Sequence, residues 1–118
     1  MTVFVKKSAE HLDIGVVNMI EAMIEDYKNF MPTDGEIRKK MNKKFSDSFA
    51  ETIGSKYIKV ISNNSVTAFI VKSDEDKKFK KGDILMAAGF NAPARNGARG
   101  NVLDGNYPIQ WTGPLYLR

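Results

Sequence analysis

Arg95 and Arg99 stand four residues apart in a stretch of turn-forming residues, APARNGARGN, and guanidinium groups at that spacing could close as a two-pronged grip on a phosphate or a carboxylate. The same two side chains could instead hold the loop itself, through salt bridges or hydrogen bonds to loop carbonyls. The sequence supports both readings equally. Lys80 and Lys81 add positive charge just upstream. Tyr107 follows Gly105-Asn106 and precedes Pro108, a context that predicts an exposed ring. Aromatic faces beside arginine suit the unstacked bases of single-stranded nucleic acid, with Tyr107 or Phe90 as the stacking residue. Trp111 and Tyr116 flank Gly113-Pro114 and read as core rather than platform, because a domain of this size needs large aromatics inside.

Other chemistries find fewer residues. His11 is the single histidine and there is no cysteine, so neither a histidine-based metal site nor a Ser-His-Asp triad can be assembled within one chain. Asp74, Glu75 and Asp76 are interleaved with lysines and have the composition of a solvated turn rather than a magnesium site. Gly97-Ala98-Arg99-Gly100-Asn101 lacks the lysine followed by Ser or Thr of a phosphate-binding loop, and reads as a turn with Gly97 and Gly100 at positive φ. Asp83 and Asp104, each beside a glycine, read as turn caps. No catalytic, cofactor-binding or metal-ligating residue is expected.

With 118 residues, 42% hydrophobic and 27% charged, the chain is expected to form a single folded domain spanning residues 1–118. No apolar run approaches the roughly 20 residues that span a bilayer, which predicts a cytoplasmic-type soluble protein with no membrane partner. The formal net charge is +4. Its distribution is uneven: residues 1–53 carry 8 basic and 9 acidic side chains, residues 54–118 carry 10 and 5. A basic second half attracts anionic partners, nucleic acid above all.

These residues must be positioned by elements whose periods are visible. Leu12, Val16, Ile20, Met23, Tyr27 and Phe30 recur at helical spacing, predicting a helix from Ser8, its N-cap, to Phe30, ended by Pro32. Gly15 weakens the start of that helix. Thr33 or Asp34 is expected to cap a second helix with Ile37, Met41, Phe45, Phe49 and Ile53 on one face, stopped by Gly54. Lys39, Lys40, Lys43 and Lys44 point away from that face, and the i,i+4 pairs Glu36–Lys40 and Lys43–Asp47 favour a solvated surface over a phosphate-binding ridge. The helical part ends at about residue 54. Beyond it, residues 56–62 and 66–71 read as a β-hairpin turned by Asn63-Asn64-Ser65, with further strands at 84–87, 101–103, 109–112 and 115–117. The fold class is α+β: an N-terminal helical hairpin followed by a small antiparallel sheet or partial barrel.

The second half carries a series of short motifs: Lys56-Tyr57-Ile58, Ser65-Val66 with Ala68-Phe69-Ile70, Gly82-Asp83-Ile84-Leu85, Ala92-Pro93-Ala94-Arg95, Ala98-Arg99-Gly100-Asn101 and Tyr116-Leu117-Arg118. In this order they resemble a family of small, mostly uncharacterised bacteriophage proteins with a C-terminal β module. The chain departs from that pattern at Gly89-Phe90, where the family shows serine or threonine then tryptophan, and at Met86, where lysine is common. The resemblance implies phage origin, hence a host cytoplasm, and a shared β module. It implies no reaction.

Two functions are therefore expected. One is a non-catalytic accessory protein that binds a host or phage protein as adaptor, inhibitor or self-assembling component, with methionines on its helices as an adaptable contact face. The alternative is binding of single-stranded nucleic acid through Arg95, Arg99, Lys80, Lys81 and Tyr107.

Overall fold

The computed structural model of the chain describes residues 2–30 and 35–115. The expected stop at Pro32, the caps at Thr33 or Asp34, the strand at 115–117 and the placement of Tyr116 fall wholly or in part outside the described residues. The elements in order are β1 (Val3–Val5), α1 (Leu12–Phe30), α2 (Glu36–Asp47), β2 (Ala50–Ile53), β3 (Tyr57–Ser62), β4 (Ser65–Val71), β5 (Ile84–Leu85) and β6 (Tyr107–Ile109). The fold is α+β, with the helical hairpin preceding most of the strands, as the periodicity predicts.

Helix α1 buries the expected stripe. Val16 and Met23 are fully buried, joined by Met19, and Leu12 and Ile20 pack against the same core. The helix begins at Leu12 rather than after Ser8, because the approach to it is held by tertiary structure: the Ala9 N–H bonds the Leu103 carbonyl at 2.9 Å. Gly15 is a contact residue rather than a flaw. A Cβ there would lie 2.7 Å from the Val102 carbonyl oxygen, so the missing side chain is what lets α1 approach that segment.

Helix α2 is shorter than its apolar pattern suggests. It starts after Gly35, at φ 89° and with no side-chain cap, and ends at Asp47, where Ser48 turns both its N–H and its hydroxyl onto the Phe45 carbonyl. Residues 50–53, expected as the last turn of this helix, form strand β2 instead. Pairing with β3, from Ala50↔Ile61 to Ile53↔Ile58, outweighs the weak helical preference of Thr and Ile. The five-residue stripe is consequently divided: Phe45 is buried, Phe49 packs on the core, and Ile37, Met41 and Ile53 are exposed.

The main sheet has the order β2-β3-β4-β5, antiparallel throughout. The β3–β4 hairpin turns at Asn63 and Asn64, both at positive φ (49° and 63°), the conformation that asparagine tolerates and that matches strand twist. One face of this sheet contributes Ile58, Val60, Ala68 and Ile70 to the principal core with α1. The other face packs Phe69 and Val71 against Phe79 and Leu85. A second, two-stranded sheet lies outside the sequence pattern: β1 pairs with β6 from Val3↔Ile109 to Val5↔Tyr107. Residues 101–103, expected as a strand, make a single bridge between Asn101 and Asp83, and the strand expected at 109–112 lies instead at Tyr107–Ile109.

Candidate binding surface

The segment after Phe79 is organised from within. Asn101, buried, donates from Nδ2 to the Lys81 carbonyl and to Asp83 Oδ1, each at 2.9 Å, and its Oδ1 accepts the N–H groups of Leu103 and Asp104. Asp83 in turn accepts the Lys80 N–H at 3.0 Å. The glycine-aspartate and arginine-glycine-asparagine motifs therefore meet, and their polar side chains satisfy backbone groups rather than face outward. Asp104 ends in an exposed ion pair with Lys80 at 2.7 Å, which raises the lysine's pKa through that hydrogen bond.

Arg95 holds Asp76 in a two-bond fork, both distances 2.9 Å, donates to the Tyr57 hydroxyl at 2.6 Å, and lies over the Phe79 ring. Asp76 also accepts the N–H groups of Lys78 and Phe79. The guanidinium, and then the Lys78 N–H, hold this carboxyl well below the usual carboxylate range, and the same contact raises the Arg95 pKa. The acidic run 74–76 is thus a turn, as expected, with Asp74 accepting the Lys81 N–H. Among the described residues no cluster of three His, Cys, Asp or Glu side chains is placed to hold a metal ion. Arg99 donates to the carbonyls of Gly97 and Leu115, to Asn96 Oδ1 and to the Met86 sulfur. Of the two readings of the arginine pair, the loop-holding one describes both side chains. Gly100 has the expected positive φ.

Tyr107 corrects an expectation outright. The residue is 2% exposed, inside the principal core, because β6 pairs with β1 and turns it inward. Gly100 permits this: a Cβ there would meet the Tyr107 Cβ at 2.6 Å. Burial pushes the phenol pKa up, and the hydroxyl finds no hydrogen-bond partner among the described residues. Tyr107 therefore has no face on which a base could stack. Phe90 is 58% exposed, but the Lys59 ammonium lies 4.4 Å from its ring centre and bonds Asn91. Trp111 is half-buried, with its edge contacts to Tyr27 and Phe45 placing it in an aromatic cluster. Its backbone N–H donates to Asp26, a fully buried carboxylate on α1 that the sequence did not mark out.

A surface that the sequence does not mark out runs along strand β2, the edge of the main sheet. All four residues of β2 are exposed, Ile53 at 68%. Gly54 donates to the Tyr57 carbonyl, so by antiparallel alternation Thr52 and Ala50 bond β3, while the N–H and C=O of Glu51 and Ile53 point away from the sheet. Beside this edge is a hollow of about 290 Å³ with Tyr57, Lys59 and Phe69 in its floor and Lys56 on its rim. The signal available in the sequence was the β-branched pair Thr52-Ile53, which the helical count absorbed.

Comparison with protein-family models, with curated proteins and with solved structures returns no match to this chain.

Proposed function

We propose that this protein works by binding another protein, from a host cell or a phage, along the open edge of its four-stranded sheet, as adaptor, inhibitor or self-assembling component. The observation that carries this reading is β2: an edge strand exposed on both faces, with a row of backbone groups that no described residue pairs and a hollow beside it. Uncovered edges are ordinarily blunted by lysine, proline or a covering loop. Here Glu51 is the strand's one charge and it contains no proline.

An extended segment of the partner laid against Glu51 and Ile53 would gain main-chain hydrogen bonds, and every second side chain would face the hollow. Lys56 and Lys59 favour an acidic group there, and Tyr57 and Phe69 an apolar one. The resemblance of the second half to small phage proteins supports phage origin and the host cytoplasm as the place of action. Among the described residues no helix is long and apolar enough to cross a membrane.

Glu51→Pro tests this, because it removes an outward N–H while leaving the ladder to β3 intact. Partners would be captured from nuclease-treated extracts with the wild-type and variant proteins, and their solution masses compared. The expected result is a partner strand cross-linked at residues 50–53 of the wild type and lost from the variant. A partner retained by Glu51→Pro, or one that disappears with nuclease, overturns the reading.

A further inference from the structure

Helix α2 carries Arg38, Lys39, Lys40, Lys43 and Lys44, and all five are exposed. As a convex helix face such a run is ordinarily solvated. Here three of the lysines line a groove. Lys40, Lys43 and Lys44 form one wall of a hollow of about 550 Å³ whose other wall is the hairpin turn, Asn63-Asn64. Lys43 is paired with Asp47 at 3.2 Å across one turn of helix, both side chains largely in solvent, so the groove keeps a formal charge of +2. That excess exceeds the fractional negative charge at a helix C-terminus.

The groove continues into a second concavity of about 460 Å³ that shares Lys44, Asn63 and Asn64 and adds Tyr27, Met41 and Phe45. Tyr27 is fixed by stacking on Phe45, with ring centres 4.1 Å apart and planes within 12°, and by its edge contact with Trp111. Met41 is exposed. Cations, amides and an apolar aromatic wall thus follow one another along a single cleft.

We infer that this cleft binds single-stranded nucleic acid. The phosphates lie along Lys40, Lys43 and Lys44, and a base rests against Tyr27 and Met41. The amides of Asn63 and Asn64 reach the edge of that base, since an amide offers both a donor and an acceptor. A free phosphate would use only the ammonium groups. An acidic peptide would satisfy them but has no planar group to place against the aromatic wall. The turn is rigidly presented, because both asparagines hold the positive φ that hairpin closure requires. The site is distinct from the β2 edge and does not depend on it.

Lys40 and Lys44, which carry the excess charge, set the salt dependence. With roughly 0.7 counterions released per contact on a single strand, affinity should fall with a log–log slope of about −1.4, or about 7-fold for a fourfold rise in salt. Fluorescence anisotropy with labelled oligo(dT) and oligo(U) measures this directly. The double substitution Lys40→Ala with Lys44→Ala should weaken binding at least about tenfold and flatten the slope by about 1.4. Asn64→Asp, exposed and compatible with positive φ, should weaken binding with no loss of fold by circular dichroism. Lys80→Ala with Lys81→Ala, and Glu51→Pro, should leave affinity unchanged.

The inference is overturned by absence of binding at low salt, by equal losses in the Lys80/Lys81 variant, or by a duplex that binds as well as the single strand. Tripolyphosphate or polyglutamate displacing the oligonucleotide at equal charge concentration would make the cleft a simple anion or acidic-peptide site, and would overturn it too.

Discussion

Asn101 donates from Nδ2 to Asp83 Oδ1 at 2.9 Å, and both side chains are buried. A carboxylate removed from water ordinarily takes a cation as partner. Here an amide serves, because it must also donate to the Lys81 carbonyl and accept two N–H groups. Asn101→Ala leaves an aspartate oxygen and three backbone groups without these bonds. The expected cost is about 2–4 kcal/mol in a urea titration, since orphaned buried polar groups lose their full desolvation energy. A variant within about 0.5 kcal/mol of wild type would mean that water replaces the side chain.

The Arg95–Asp76 fork makes stability depend on acid. Asp76 is held below the ordinary carboxylate range by the Arg95 guanidinium first and the Lys78 N–H second, so the folded chain binds fewer protons there than the unfolded chain. The contribution is complete above the unfolded value, near about pH 4, and is lost as pH falls toward the folded value. Arg95 is 43% exposed, so salt screens the pair. The stability difference between wild type and Asp76→Asn should be greatest near neutral pH, shrink below about pH 4, and diminish in about 0.5 M salt. A difference unchanged through that acid range would remove Asp76 from the acid response.

Tyr107 carries a hydroxyl in the core with no partner among the described residues. Tyr107→Phe keeps the ring and removes the unmatched group, so its stability should equal or exceed that of wild type, by up to about 1 kcal/mol, seen as an unchanged or raised thermal midpoint. Tyr107→Ala should cost about 3–5 kcal/mol. Oligonucleotide affinity should be the same for Tyr107→Phe and wild type. A marked destabilisation of Tyr107→Phe would reveal a hydrogen bond to the hydroxyl.

Local pattern carried much of this fold and little of its surface. The spacing of Leu12, Val16, Ile20 and Met23 and the Asn63-Asn64 turn were legible because each depends on neighbours within a few residues. Strand β2 was not, since Phe49 and Ile53 continue the spacing of α2, and only the long-range match to β3 decides between helix and strand. Tyr107 misled for a related reason. Its glycine, asparagine and proline neighbours describe a turn correctly, but which way the ring faces is set by Val5, its partner across the β1–β6 ladder. The arginines were legible as functional groups and not as clamps, because Asp76 and the Leu115 carbonyl lie far from them in sequence. The lysines of α2 become a candidate site only when the hairpin turn closes the groove opposite them.

The β1–β6 ladder joins Val3 to Ile109. Closing a loop of that length costs roughly 4 kcal/mol in chain entropy before any contact repays it. The sheet cannot form on the ribosome until residues 107–109 have emerged. Until then Val5, which sits in the core beside α1, has no strand to pair with. The hairpin of β3 and β4 needs only its own residues, so it is expected to assemble before the β1–β6 ladder closes.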